Sequence, residues 1–310
     1  MNDAAPLVSI LIPAYHERFF AEALASARSQ SYSPVEIVVC DDSQGASIER
    51  IVAAAGDERI RYRRNAARRG FEANFGACFE EARGEFVKFL NDDDRLGTHC
   101  VEALAWGLRA NPGVSLATSR RFVIDETGRR LPDLDATVPV SHVSCFIPGG
   151  ELGNFVLMNM RNLIGEPSTA MFRRADFTSE PGGFFHWGGE SYHCLADLSL
   201  WLRLLKRGAA YWCAAGLSEF RVHEGQEQAG VARLDCLLER HRIATQARTE
   251  GYLEAPAQWL AALRSARAFA EGTDFARVSE DVRARIGEHM RRLDEEIGRA
   301  MAEEAMAAPL

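Results

Sequence analysis

Three short, largely apolar runs, each cut off by a polar cluster, constrain the fold of this chain more than any other feature. Val8–Ile12, Val35–Cys40 and Phe86–Leu90 are rich in β-branched and aromatic residues and show little polar alternation. Runs of that kind are strands buried on both faces, as in a parallel sheet covered by helices. They end at Pro13-Ala14-Tyr15-His16-Glu17, at Asp41-Asp42-Ser43 and at Asn91-Asp92-Asp93-Asp94. Helical spacing lies between them, over Phe19–Gln30, Ser47–Ala55 and Phe71–Ala82, with a short strand at Ile60–Tyr62. Thr98–Ala110 then reads as a helix and Val114–Ile124 as a strand. Alternation of strand and helix implies right-handed crossovers and a mostly parallel α/β sheet. Ligands of such sheets bind beyond the carboxyl ends of the strands, so the three polar clusters are expected on one edge.

The remainder is less regular. Residues 125–174 are rich in Gly and Pro and are expected to be loops over the sheet. Leu195–Arg207 is an amphipathic helix, followed by strand-like Ala210–Cys213 and Glu219–His223. From about Val231 the chain reads as helical. Val282, Ile286, Met290, Leu293, Ile297 and Met301 make an apolar stripe along its last segment. That stripe fits packing on the domain, pairing with a second chain as a homodimer, or lying on a membrane surface. The chain has 310 residues, and 36 Lys and Arg against 44 Asp and Glu leave it at −8, a balance that argues against a nucleic-acid binder. No apolar run approaches the ~18–20 residues of a membrane span, and no export signal is read at the start. The seven cysteines are scattered and never spaced as CxxC. Reduced thiols in a cytoplasm are therefore expected, with neither a disulfide framework nor a structural zinc site.

Several clusters carry chemistry. Three adjacent carboxylates after an apolar strand repel one another unless a cation or donors compensate, and hard oxygen ligands suit Mg²⁺ or Mn²⁺ bridging to phosphate. The plainer reading is a polar turn with Asp94 capping the next helix. Asp42 can accept donors from a base or ribose, or simply start a turn. Tyr15 can stack on a nucleobase, or pack on the core. Asp197 opens a helix, where it is either a cap or a general base. His223 closes a strand, as a ligand or as a structural histidine. GxGxxG after the first strand, GxxxxGK[ST], GxSxG and HExxH are all absent.

Val8-Ser9-Ile10-Leu11-Ile12-Pro13-Ala14-Tyr15, Glu36-Ile37-Val38-Val39-Cys40-Asp41-Asp42-Ser43 and Gly84-Glu85-Phe86-Val87-Lys88-Phe89-Leu90-Asn91-Asp92-Asp93-Asp94 together resemble family 2 glycosyltransferases. These are inverting, nucleotide-sugar-dependent enzymes of the glycosyltransferase A fold. Asp197 with Leu200-Trp201-Leu202-Arg203-Leu204 is similar to the family's late acidic motif, and Ser218–Gly225 to its closing strand. The resemblance covers about residues 7–228. It implies a catalytic domain over 1–228, with a nucleotide-sugar half to about 125 and an acceptor half over 126–228. A helical C-terminal extension over 229–310 follows.

By the same resemblance, Pro13, Tyr15, Glu17 and Asp42 hold the nucleoside, with Arg69 near the diphosphate or base. Asp92 contacts ribose, Asp93 ligates Mn²⁺ or Mg²⁺, His223 contacts metal or phosphate, and Asp197 is the catalytic base. Ile164-Gly165-Glu166-Pro167-Ser168 resembles a loop beside the acceptor. Asn91 stands where the family often has Asp, His16 replaces a common Asn, and Ala196 precedes Asp197 where Glu is frequent. The QxxRW motif and membrane spans of processive synthases are missing, which favours transfer of a single sugar. The donor is expected to be UDP-linked and the acceptor a hydroxyl. The alternatives are a nucleotidyltransferase, whose Gly-rich basic loop is absent, and a degenerate scaffold that binds a sugar nucleotide or partner without catalysis.

Overall fold

The computed structural model describes residues 5–178, 182–224, 233–272 and 279–307. Its first part alternates as expected, through β1 (Val8–Ala14), α1 (Glu17–Arg28), β2 (Val35–Asp41), α2 (Ser47–Ala55), β3 (Ile60–Arg64) and α3 (Phe71–Glu81). β4 (Phe86–Phe89), β5 (Arg95–Leu96), α4 (Cys100–Ala110) and β6 (Val114–Ile124) follow. Every residue of β1, β2 and β4 is buried, which is why those runs lack polar alternation. Two of their polar residues pair with each other: Ser9 Oγ donates to Glu36 at 2.5 Å, and Glu36 also accepts from Arg83 N at 2.7 Å. Gly84 enters β4 against this pair. A Cβ there would lie 2.6 Å from Ser9 N, so only glycine permits the approach.

The second part comprises β7 (Arg130–Leu131), β8 (Cys145–Ile147), α5 (Gly149–Asn159), β9 (Met171–Arg173), β10 (His186–Trp187), β11 (Glu190–Ser191), α6 (Ala196–Leu205) and β12 (Ala209–Arg221). The main sheet has the order β3-β2-β1-β4-β9-β6-β12-β5, with β7 on β6 and β8 on β12. β3, β2, β1 and β4 are mutually parallel, and β12 is parallel to β6. β9 runs antiparallel between β4 and β6. The result is a mixed α/β fold with a central sheet flanked by helices.

Two segments depart from expectation. Residues 125–174 hold a helix and several short strands rather than loops alone. α5 carries glycines at 149, 150 and 153 that mask its periodicity, yet it buries Leu152, Val156 and Leu157. The two strands expected after α6 are one long strand, β12, whose register shifts between Cys213 and Ser218, where Ala214-Ala215-Gly216 interrupts the apolar pattern.

The C-terminal helices are α7 (Arg233–Thr249), α8 (Pro256–Glu271) and α9 (Glu280–Ala307). Ile243, Ala247, Trp259, Leu263 and Leu293 share one buried cluster with Leu152, Val156, Leu200 and Leu204 of α5 and α6. Ile286 and Leu293 of the apolar stripe are buried, with Val282, Met290 and Ile297 packed beside such clusters, while Met301 is half exposed. The stripe therefore packs largely on the chain's own helices. No described helix is long and apolar enough to cross a membrane.

The cysteine expectation is corrected in one respect. Cys194 and Cys236 form a disulfide, while Cys40, Cys78, Cys100, Cys145 and Cys213 remain thiols. The partners lie 42 residues apart, and only the packing of α7 against the segment before α6 brings them together.

Candidate active site

The three strand ends do meet. Pro13 near the end of β1, Tyr15 just beyond it, Asp42 after β2, and Asn91, Asp92 and Asp93 after β4 line one cavity of about 630 Å³. Each carboxylate holds a neighbouring turn. Asp42 accepts from Arg69 N, Gly70 N and Asn65 Nδ2, all at 2.8 Å, and so pins the entry to α3. Asp92 accepts from Tyr15 N and His16 N at 2.6 Å each, locking the β1 turn to the β4 turn. Pinning the segment around Arg69 has a consequence for the basic residue expected there. The guanidinium of Arg68 lies 4.5 Å from the centre of the Tyr15 ring and lines the cavity, whereas Arg69 contributes its backbone N–H to Asp42. Glu17, the first residue of α1, is not among the lining residues.

Asp93 faces His223, with Oδ2 and Nε2 3.1 Å apart. Sequence reasoning missed the residue that arranges this pair, Arg221, a fully buried guanidinium at the end of β12. Its Nε donates to Asp93 O at 2.7 Å, its backbone N–H to Asp94 Oδ1 at 2.9 Å, and its Nη2 to Glu22 at 2.7 Å. Asp94 is not a helix cap, because α4 begins only at Cys100. It is buried instead, accepting from Ser168 Oγ at 2.6 Å as well as from Arg221. Burial and the adjacent Asp93 push its carboxyl well above the usual range, which relieves repulsion in the acidic triplet. Burial, followed by the charge of Arg18, lowers the proton affinity of His223 and favours neutral imidazole.

Across the cavity chemistry, α6 presents Asp197 in its first turn. Burial pushes this carboxyl up to about 8; the charge of Glu166 adds to the rise, Arg121 opposes it and Asp94 contributes a little. The segment before α6 is fixed from α7. Glu239 accepts from His193 N and Leu195 N at 2.9 Å each, and the Cys194–Cys236 disulfide ties the residue between them. His193, Cys194 and Asp235 all line the cavity, so the C-terminal helices help to build the site. Phe71 and Phe75 of α3 line it too, with Phe71 stacked on Phe185 at 5.1 Å. Among the described residues, no cluster of three or more His, Cys, Asp or Glu is arranged to hold a metal ion by itself.

Comparison with known proteins gives consistent results. The sequence profile described as "Glycosyl transferase family 2" matches residues 9–178. The Mycobacterium tuberculosis protein MT1568 is 30% identical over 260 residues, covering 79% of this chain and 76% of that protein. Among solved structures, S. aureus TarS 1-349 in complex with UDP-GlcNAc aligns with a TM-score of 0.55 at 16% identity, over 96% of this chain and 88% of that one. Mannosyltransferase PcManGT from Pyrobaculum calidifontis, in complex with GDP-Man and Mn²⁺, aligns with a TM-score of 0.52 at 16% identity, over 98% and 87%. At such identities the two structures establish a shared fold.

Proposed function

Since the chain belongs to glycosyl transferase family 2, and so is a glycosyltransferase that uses a nucleotide-sugar donor, we propose that it moves a single sugar from a UDP-linked donor to an acceptor hydroxyl with inversion. The observation that carries this reading is the cavity itself, where the strand-end carboxylates Asp92 and Asp93 and the half-buried Asp197 line one space. Residues 1–228 form the catalytic domain in this reading, and 229–310 a helical extension that completes its acceptor wall.

Tyr15, backed by Arg68, offers an aromatic face for the base, with Pro13 and Asp42 beside it. Glu17 and Arg69 are assigned to the same nucleoside and diphosphate region, and Asp92 to the ribose. Asp93 and His223 present one oxygen and one nitrogen donor side by side, and these two residues would hold a divalent ion next to the donor's diphosphate. Bound there, Mn²⁺ or Mg²⁺ would offset the negative charge that builds on the departing diphosphate.

Asp197 performs the proton transfer. The acceptor oxygen bonds to the anomeric carbon from the face opposite the leaving group, and its proton passes to the Asp197 carboxylate. The bond between that carbon and the diphosphate oxygen breaks, with its electron pair leaving on the phosphate. A single displacement inverts the centre and needs no enzyme nucleophile. A carboxyl that titrates near 8 is a stronger base than an ordinary aspartate, and transfer is expected to rise with pH as it ionises.

The test is Asp197→Asn, assayed for UDP release from UDP-sugars with a panel of hydroxyl acceptors. Loss of release with UDP binding retained supports the assignment. Unimpaired turnover removes Asp197 as the base. Donor binding without turnover by the wild type across the panel would favour the non-catalytic scaffold.

A further inference from the structure

Glu166 lines the same cavity as Asp197 but belongs to a different part of the chain, the turn that follows α5. This turn is held unusually firmly. Asn162 brackets Gly165 on both sides, Nδ2 donating to Gly165 O at 3.0 Å and Oδ1 accepting from Gly165 N at 3.1 Å. Thr118 Oγ1 donates to Ile164 O at 2.6 Å, and Thr169 N to Glu166 O at 2.8 Å. Gly165 itself has φ +112°, and a Cβ there would lie 2.7 Å from Thr169 Cβ, so only glycine fits. One further bond links the turn to the helix of the base. Trp201, four residues after Asp197 on α6 and hence on the same face, donates from Nε1 to Gly165 O at 2.7 Å.

Behind Glu166 stands Arg121, almost completely buried on β6. Its Nη2 donates to Ala136 O at 2.7 Å and to Asn162 O at 3.0 Å. Arg121 Nε lies 2.6 Å from Glu166 Oε2, an ion pair whose angle is unsuited to a hydrogen bond. A guanidinium this deep, fixed by main-chain carbonyls, sets a positive charge directly behind Glu166 at the cavity wall.

We propose that Glu166, held by Arg121 and tied to α6 through Trp201, is a positioning residue that sets the basicity of Asp197. The inference rests on the reading of Asp197 as the base. Like charge on a neighbouring carboxylate disfavours ionisation of Asp197, while Arg121 limits that effect so that the group still ionises in a working pH range. The titratable and charged groups whose interactions reach Asp197 are Glu166 from the turn, Arg121 from β6 and Asp94 after β4. His193 and Asp235 also line the cavity, and Glu239 holds the segment before α6.

The experiment is carboxyl-carbon NMR of the full chain labelled at aspartate Cγ, titrated over pH, with Asp197→Asn identifying the Asp197 signal. The expected midpoint is about 8 in the wild type. In Glu166→Gln it falls by about one pH unit or more, a tenfold or greater loss of proton affinity, while Glu166→Asp keeps it near the wild-type value. Arg121→Met moves it the other way. UDP release followed against pH should shift its rising limb by the same amounts. A midpoint unmoved in Glu166→Gln, with UDP binding intact, overturns the proposal. The two readings fail separately. A midpoint that moves while Asp197→Asn still transfers sugar removes the base assignment, whereas a dead Asp197→Asn with an unmoved midpoint removes only the role of Glu166.

Discussion

On the proposed reading, a donor edge and an acceptor wall enclose one cavity but are assembled in different ways. On the donor edge, each carboxylate sits just beyond the strand that delivers it; backbone amides of adjoining turns hold Asp42 and Asp92, and Asp93 faces His223. The acceptor wall is gathered from afar: Glu166 after α5, Asp197 on α6, and Asp235, Cys236 and Glu239 from α7. The first is rigid because the sheet is rigid. The second depends on cross-links between segments, so perturbing those links should alter acceptor handling while leaving nucleotide binding in place.

The largest expected effect is on turnover. Asp197→Asn should lower transfer by about 10²–10⁴-fold, the usual contribution of a general base, with UDP affinity unchanged by calorimetry. A comparable fall in UDP affinity would mean that the two walls are not separable. Reduction of Cys194–Cys236 comes next. Opening a link across 42 residues should cost roughly 3–4 kcal/mol of stability by loop-closure entropy, read as a lower melting temperature in dithiothreitol. Cys194→Ser should reproduce it, and an unchanged melting curve would show that α7 docks without the bridge.

Asp197 also imposes a pH dependence on stability. The folded carboxyl keeps its proton to about pH 8, but the unfolded one only to about pH 4. The folded state therefore binds more protons between those values, and stability falls as pH rises through the window, by up to about 1.4 kcal/mol per unit. Denaturant melts of Asp197→Asn should lose this slope and exceed the wild type at pH 8. Glu239→Gln should cost about 1–3 kcal/mol and raise the acceptor KM more than the donor KM in steady-state assays. The smallest effect belongs to the donor edge, where Arg68→Ala removes one cation–π support of Tyr15. A loss of about 0.5–1 kcal/mol in UDP binding is expected by calorimetry.

The same contrast explains what the sequence disclosed. Strand ends are local, so the convergence of Tyr15, Asp42 and Asp93 could be inferred from apolar runs and the polar clusters that stop them. Asp197 stood out as the acid that opens an apolar helix, where the local pattern left a cap and a base open and only the family resemblance pointed to a base. Arg121 and Arg221 did not stand out, because each lies within a strand where an arginine gives no hint that it is buried and bonded to carbonyls. Nor could Cys194 be paired with Cys236 before α7 was seen against the segment preceding α6, and that the Arg68 side chain lines the cavity follows from the turn that Asp42 pins. Helix α5 was hidden by its own glycines.

The central claim is a nucleotide site centred on Asp93, and calorimetry tests it most directly. UDP, dTDP and GDP would each be titrated with and without Mn²⁺ into the wild type and Asp93→Ala. Metal-dependent binding of UDP, lost in Asp93→Ala, is expected. Binding that is indifferent to both Mn²⁺ and Asp93, or no binding of any of the three, would contradict it.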